Sequence, residues 1–144
     1  MKNIINIAVV GLGQVGIYLL NELKSKKKDI ELKTGKRINI VAVSARNINK
    51  KRRFKINKKI FYKNPLKIFD KTRIDILFEA IGLSGGISKK IAEKALKNKT
   101  HVITPNKALI SKHGDYLAKL AEDNNVNLEF EASVAGGIPI LRTI

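Results

Sequence analysis

The chain of 144 residues contains no cysteine. A disulfide framework, a thiolate metal site and a thiol nucleophile are thereby excluded. Histidine is nearly absent: His101 and His113 are the only two, too few to build a His-rich metal centre. Metal-dependent hydrolysis therefore drops out of consideration. Long apolar runs are missing too, and none approaches the roughly 20 residues that a membrane span needs. The opening "MKNIINIAVVGLG" has a lysine and a short apolar stretch, but that stretch runs into glycines instead of a small-residue cleavage site. The expected location is the cytoplasm, with no membrane partner.

Acidic residues are scarce, 12 against 29 lysines and arginines, which leaves a formal charge of +17. A surplus of that size is the footprint of nucleic-acid binders, whose cations displace counterions from phosphates. Here 23 of the 29 cations are lysines, spread along the chain in "KSKKK", "NKKRRFKINKK" and "KKIAEKALKNK". Isoleucine and asparagine are abundant as well, and all three amino acids have A/T-rich codons. Genome composition accounts for much of the charge, and no specific nucleic-acid partner is expected.

What is present is enough for one domain with a real core, since apolar residues make up 44% of the chain. Hydrophobic periodicity alternates between two types. "IINIAVV" (4–10) is a continuous apolar run with β-branched residues, as a strand covered on both faces requires. "QVGIYLLNELKSK" (14–26) sets Val15, Leu19, Leu20 and Leu23 at helical spacing. "KDIELKTGK" reads as a connection, "RINIVAVSA" (37–45) as a second buried strand, and 46–63 as a basic loop. Pro65 opens a helical turn. Further strands are expected at 74–82, in "THVIT" and in "VNLEFEA", with helices over "GGISKKIAEKALKN" and "NKALISKHGDYLAKLAEDN" between them. Strands alternating with helices across short turns predict an α/β fold, Rossmann-like and doubly wound, with a mostly parallel sheet and helices on both faces.

Between the first strand and the first helix lies "VVGLGQVG", which holds Gly11, Gly13 and Gly16 in the G-x-G-x-x-G pattern. The motif alone is weak, but a strand before it and an amphipathic helix after it are the context a dinucleotide site demands. Gly11 allows the tight turn, Gly13 lets backbone approach a pyrophosphate, and Gly16 lets the helix pack close to the strand. The segment Gly11, Leu12, Gly13, Gln14, Val15, Gly16 then aims a helix N-terminus at the phosphates. An acidic residue about 20 positions further on would bind the ribose of NAD. Glu31 has that separation but precedes the second strand, and the strand ends in "VSARN" with no carboxylate. Arg46 there can accept a 2′-phosphate, which tilts the cofactor toward NADP over NAD; Arg46 as a solvated loop cation is the plainer alternative.

Three separated segments, "GLGQVG", "VITPNKALIS" and "EASVAGGIPILRTI", together resemble homoserine dehydrogenase in its N-terminal nucleotide-binding region, from about residue 4 onward. The family reduces L-aspartate 4-semialdehyde to L-homoserine with NADPH or NADH, in threonine, methionine and isoleucine biosynthesis. The resemblance implies that Ile81 and Gly82 pass near the ribose and nicotinamide end. It implies a catalytic, cofactor-approaching role for Lys107 in "TPNK", whose ammonium can stabilise the alkoxide formed at the aldehyde carbon. A surface lysine is the alternative there, although cations are disfavoured at a helix N-terminus. It also implies a monovalent-cation site, such as sodium, at Glu131, Val134, Gly136 and Ile138; a domain hinge needing small residues explains the same motif.

The domain boundary implied is a dinucleotide-binding domain over 1–132 and a crossover hinge over 133–144. The family's second domain, which binds the semialdehyde or homoserine and forms a homodimer, has no counterpart in the sequence. The chain reads as an N-terminal fragment able at most to bind the dinucleotide. A stand-alone dinucleotide-sensing domain of a transporter or channel is the competing reading. Such domains usually carry an acid after the second strand and have no need of "TPNK" and "SVAGGIP".

Overall fold

A computed structural model describes residues 3–130 of the chain. The expected crossover hinge, 133–144, lies outside the described residues. Among the described residues six strands and four α-helices follow in the order β1 (Ile4–Val10), α1 (Gln14–Ser25), α2 (Lys27–Thr34), β2 (Arg37–Ser44), β3 (Phe61–Tyr62), β4 (Ile76–Glu79), α3 (Ile87–Lys97), β5 (His101–Ile103), α4 (Lys107–Asp123) and β6 (Leu128–Glu129). The sheet order is β3-β2-β1-β4-β5-β6, and every pairing is parallel. The chain winds outward from β1 through β2 and β3, then crosses back to lay β4 on the other side of β1. The carboxyl ends of β1 and β4 thus form the switch point at which doubly wound sheets bind ligands.

Strand alternation divides the core into two layers. Ile5, Ile7 and Val9 of β1 pack with Leu19, Leu20 and Leu23 of α1 and Ile30 of α2. Ala8 and Val10 point the other way, toward Ile91, Ala92 and Leu96 of α3 and Leu109 and Leu117 of α4. Burying a leucine or isoleucine side chain contributes about 1.5–3 kcal/mol, so β1, buried on both faces from Ile7 to Val10, is the spine of the domain.

Three boundaries differ from the sequence reading. "KDIELKTGK" is not a connection: it holds all of α2 but its first residue, Lys27, and the helix is closed by Gly35 in the left-handed conformation at φ 69°. Periodicity missed this helix because only Ile30 is buried, while Leu32 is 83% exposed. The basic loop 46–63 holds a 3₁₀ turn (Lys58–Ile60) and the two-residue β3, which pairs only with Val43 and Ser44. The strand expected over 74–82 is paired from Ile76 to Glu79; Ala80 N makes a last bond to Val10 O, and the chain leaves the sheet beyond it to line the switch point.

Candidate functional site

Three chain segments converge at the carboxyl ends of β1, β2 and β4. The first is the glycine turn. Gly11 has φ +95°, and a Cβ there would fall 2.5 Å from the Ala80 carbonyl carbon. Its N–H donates to Ser44 O at 2.9 Å, so the turn is wedged between the exits of β2 and β4. Gly16 is needed for a different reason: a Cβ would stand 1.9 Å from Gly11 O, so only a hydrogen lets α1 come this close. At Gly13 a Cβ would meet nothing within 4 Å. That space is open. Gly13 is also the N-cap of α1 with no side-chain cap, and the first turn of α1 has no acidic residue. Uncapped N–H groups and the positive end of the helix dipole therefore face the same opening.

The second segment follows β2. Arg46 and Asn47 stand at the mouth, and the chain then folds back over the glycine turn. Arg52 holds it there, donating through Nε to Leu12 O at 3.2 Å and through Nη1 to Ile48 O at 3.4 Å and Lys50 O at 3.2 Å. The third segment is the β4 exit, where Ala80 N donates to Val10 O at 2.7 Å. Together they enclose a cavity of about 550 Å³ lined by Gly11, Leu12, Gly13, Arg46, Ile81 and their neighbours. Lys50, Arg52 and Lys63 also line it, and no acidic side chain does among the described residues. The charge of the lining suits an anionic ligand.

A second cavity of similar size, lined by Leu20, Leu23, Lys24, Phe54 and Ile60, lies beside α1 and β2, away from the switch point. Its lining includes no glycine turn and no carboxyl end of β1, β2 or β4, so the chemistry is sought in the first cavity. No group of three or more metal-ligating side chains occurs among the described residues.

Residues 11–131 match the family model described as homoserine dehydrogenase, NAD binding domain. The chain belongs to the homoserine dehydrogenase family. It is 33% identical over 142 residues to the homoserine dehydrogenase of Bacillus subtilis, covering 97% of this chain and 32% of that protein. The crystal structure of the Thiobacillus denitrificans homoserine dehydrogenase superposes with a TM-score of 0.82 at 32% identity, over 97% of this chain and 32% of that one. An S. aureus homoserine dehydrogenase structure gives 0.78 at 39% identity, over 95% and 34%. The chain thus spans about a third of the length of the relatives it matches. What is described is the NAD(P)-binding, Rossmann-like part of the family.

Within this frame the expected residues separate into groups. Gly11, Leu12, Gly13, Arg46 and Ile81 line the cavity, while Gly16 is buried beneath it. Gln14 and Val15 are exposed on the first turn of α1 and are not among the lining residues. Gly82, at φ +88°, continues the loop beyond Ile81 and is exposed. Lys107 is exposed at the first position of α4 and does not line the cavity. It reaches the site's edge through its neighbour: Asn106 caps α4 by accepting from Leu109 N at 3.0 Å, and its amide donates to Leu83 O at 2.7 Å. Glu131, Val134, Gly136 and Ile138 lie outside the described residues.

Glu31 turns out to be a structural group. It sits on α2, where Oε1 accepts from Ile38 N at 3.1 Å and pairs with Lys27 at 3.8 Å, near the start of β2 and so at the opposite end from the cavity. Sequence reasoning had no means of seeing Arg52 as a brace, since it looked like any cation in a basic loop. Lys63 enters the lining only because β3 pairs with β2. Glu79 carried a signal that spacing analysis passed over, a carboxyl group inside an otherwise apolar strand.

Proposed function

We propose that this chain binds NADP(H), with NAD(H) as the weaker ligand, and is the cofactor-binding part of an enzyme reducing L-aspartate 4-semialdehyde to L-homoserine. The observation that carries the reading is the open space at Gly13, set at the uncapped end of α1 in a cavity with four cations and no acid. The residues fit the group. Gly11–Gly16 would hold the pyrophosphate, the Arg46 guanidinium would take the 2′-phosphate in a bidentate contact, and Ile81 and Gly82 would border the ribose and nicotinamide end. No carboxylate after β2 competes for the ribose hydroxyls, which supports the phosphorylated cofactor.

Bound there, the reduced dinucleotide supplies a hydride to the aldehyde carbon. Lys107 is the residue of this chain assigned to the reacting carbonyl. Its ammonium can approach the oxygen and stabilise the negative charge that develops on it. Proton delivery, amino-acid binding and homodimer formation are assigned to the part of the enzyme beyond the third represented here. A monovalent cation held by Glu131, Val134, Gly136 and Ile138, largely through carbonyl oxygens, belongs to the same proposal; hard oxygen donors suit such an ion.

The test is titration of the chain with NADPH and NADH by fluorescence, with Arg46→Ala beside it. The expected result is that Arg46→Ala weakens NADPH at least tenfold and NADH little, about the 1.5–3 kcal/mol of a charge-assisted contact. Equal losses for both would remove the 2′-phosphate assignment. The chain alone should bind but not turn over aspartate semialdehyde, and appreciable turnover would overturn the division of labour.

A further inference from the structure

Glu79 is fully buried, with 0% exposure, at the end of β4. Its carboxyl group accepts four hydrogen bonds from three different segments. Oε1 takes Ile81 N at 2.8 Å and Ser88 Oγ at 3.2 Å; Oε2 takes Thr104 Oγ1 at 2.7 Å and Asn106 Nδ2 at 3.4 Å. No cation is among these partners. A carboxyl group in such a place is costly unless all its acceptor sites are used, and an apolar side chain would pack there without that cost. Its retention calls for something that apolar packing cannot do.

The partners show what that is. Ile81 borders the cavity, and Leu83, two residues on, is tied both to Ser88 Oγ at 3.3 Å and to Asn106 Nδ2 at 2.7 Å. Asn106 N donates to Thr104 Oγ1 at 3.0 Å, and Asn106 caps the helix that begins with Lys107. Glu79 therefore joins the loop at the cavity's edge to α3 and to the Thr104–Asn106 turn before α4, alongside Asn106, whose own amide spans Leu83 O and Leu109 N. We infer that Glu79 is a positioning residue that locks the 81–83 loop and the first turn of α4 into one unit, fixing the nicotinamide end of the site relative to Lys107. This inference rests on the dinucleotide reading above.

Glu79→Gln is the informative variant because its two amide partners cannot adapt. The Ile81 and Asn106 N–H donors lie on different carboxyl oxygens, whereas the Thr104 and Ser88 hydroxyls can rotate. One glutamine oxygen serves one of the two donors, and its NH₂ opposes the other. The assay is titration of the chain with NADPH and, separately, with adenosine 2′,5′-bisphosphate, which fills only the adenine half. Glu79→Gln is expected to bind the bisphosphate as the parent chain does and NADPH about fivefold more weakly, whereas Thr104→Ser, which keeps the hydroxyl donor to Oε2, should bind both as the parent does. Thr104→Val, which removes one donor to Oε2, should show the same split and serves if Glu79→Gln does not fold. Unchanged NADPH affinity, or parallel loss of both ligands, would overturn the positioning role. Failure of the unsubstituted chain to bind either ligand would instead overturn the dinucleotide reading itself.

Discussion

The glycine turn makes a prediction in which effects on folding and on binding fall on different glycines. In Gly16→Ala the new methyl would stand 1.9 Å from Gly11 O, while ordinary contact begins at 3.4 Å. The obstacle is a backbone carbonyl, so no side chain can swing away; α1 must move by roughly 1.5 Å to restore van der Waals separation. Overpacking costs about 1–3 kcal/mol, and a rigid target places this case at the upper end. Replacing a helical glycine returns about 1 kcal/mol, which leaves a net loss of about 2 kcal/mol. For a chain of this size that lowers Tm by roughly 6 °C.

Gly13→Ala is the counterpart. Its backbone, at φ −80° and ψ −159°, suits any residue, and a Cβ would touch nothing. Alanine restricts the unfolded chain, a gain of about 0.4–1 kcal/mol, but caps a helix less well than glycine by about the same amount, so stability should change little. The methyl, however, occupies the space assigned to the pyrophosphate, and a misfit of about 1.4–2.8 kcal/mol weakens NADPH ten- to a hundredfold. Differential scanning fluorimetry and NADPH titration on both variants give the comparison. Gly13→Ala binding within twofold of the parent would refute the pyrophosphate assignment. A Gly16→Ala chain of unchanged Tm would refute the packing argument.

Two further predictions concern groups away from the cavity. Burial holds the pKa of His101 below its ordinary 6.5, with Asp75 pulling less strongly the other way, and His101 Nδ1 accepts from Asn127 N at 3.0 Å, a bond only the neutral ring can make. Between that lowered value and 6.5 the unfolded chain binds more protons than the folded one. Stability should therefore fall as pH drops through 6.5 and level off below the folded value. His101→Asn, which keeps an acceptor but does not titrate, should flatten Tm between pH 5 and 7; an unaltered slope would remove His101 as the cause. Glu31→Ala should cost about 1 kcal/mol by stripping Ile38 N of its acceptor, and leave NADH affinity unchanged. A weakened NADH titration would instead return Glu31 to the ribose site.

Much of the fold was legible because burial on both faces writes itself into a sequence as unbroken apolar runs. "IINIAVV" and "RINIVAVS" could hardly be anything but inner strands, and Leu19, Leu20 and Leu23 meet the core at the spacing expected. The elements that escaped were those with little apolar content of their own. α2 buries only Ile30, and β3 is two residues that exist by pairing with β2. The glycine motif was legible in position and in part in reason. That Gly11 is pressed against Ala80, Gly16 against Gly11 and Gly13 against nothing could be known only once β4 was laid beside β1.

The sequence by itself determined the doubly wound α/β class, the place of the phosphate-binding turn and the kinship carried by "GLGQVG" and "VITPNKALIS". Those properties depend on local periodicity and on residues adjacent in the chain. Tertiary structure alone decided which distant groups share the site. It moved Glu31 to the far end of β2, brought Arg52 across 40 positions onto Leu12, and joined Glu79 to Thr104 and Asn106 across 25 and 27. The reason is physical: a parallel sheet sets neighbouring strands side by side whatever their separation in the chain. The partners of a buried polar group are chosen by the crossovers, and no local pattern records them.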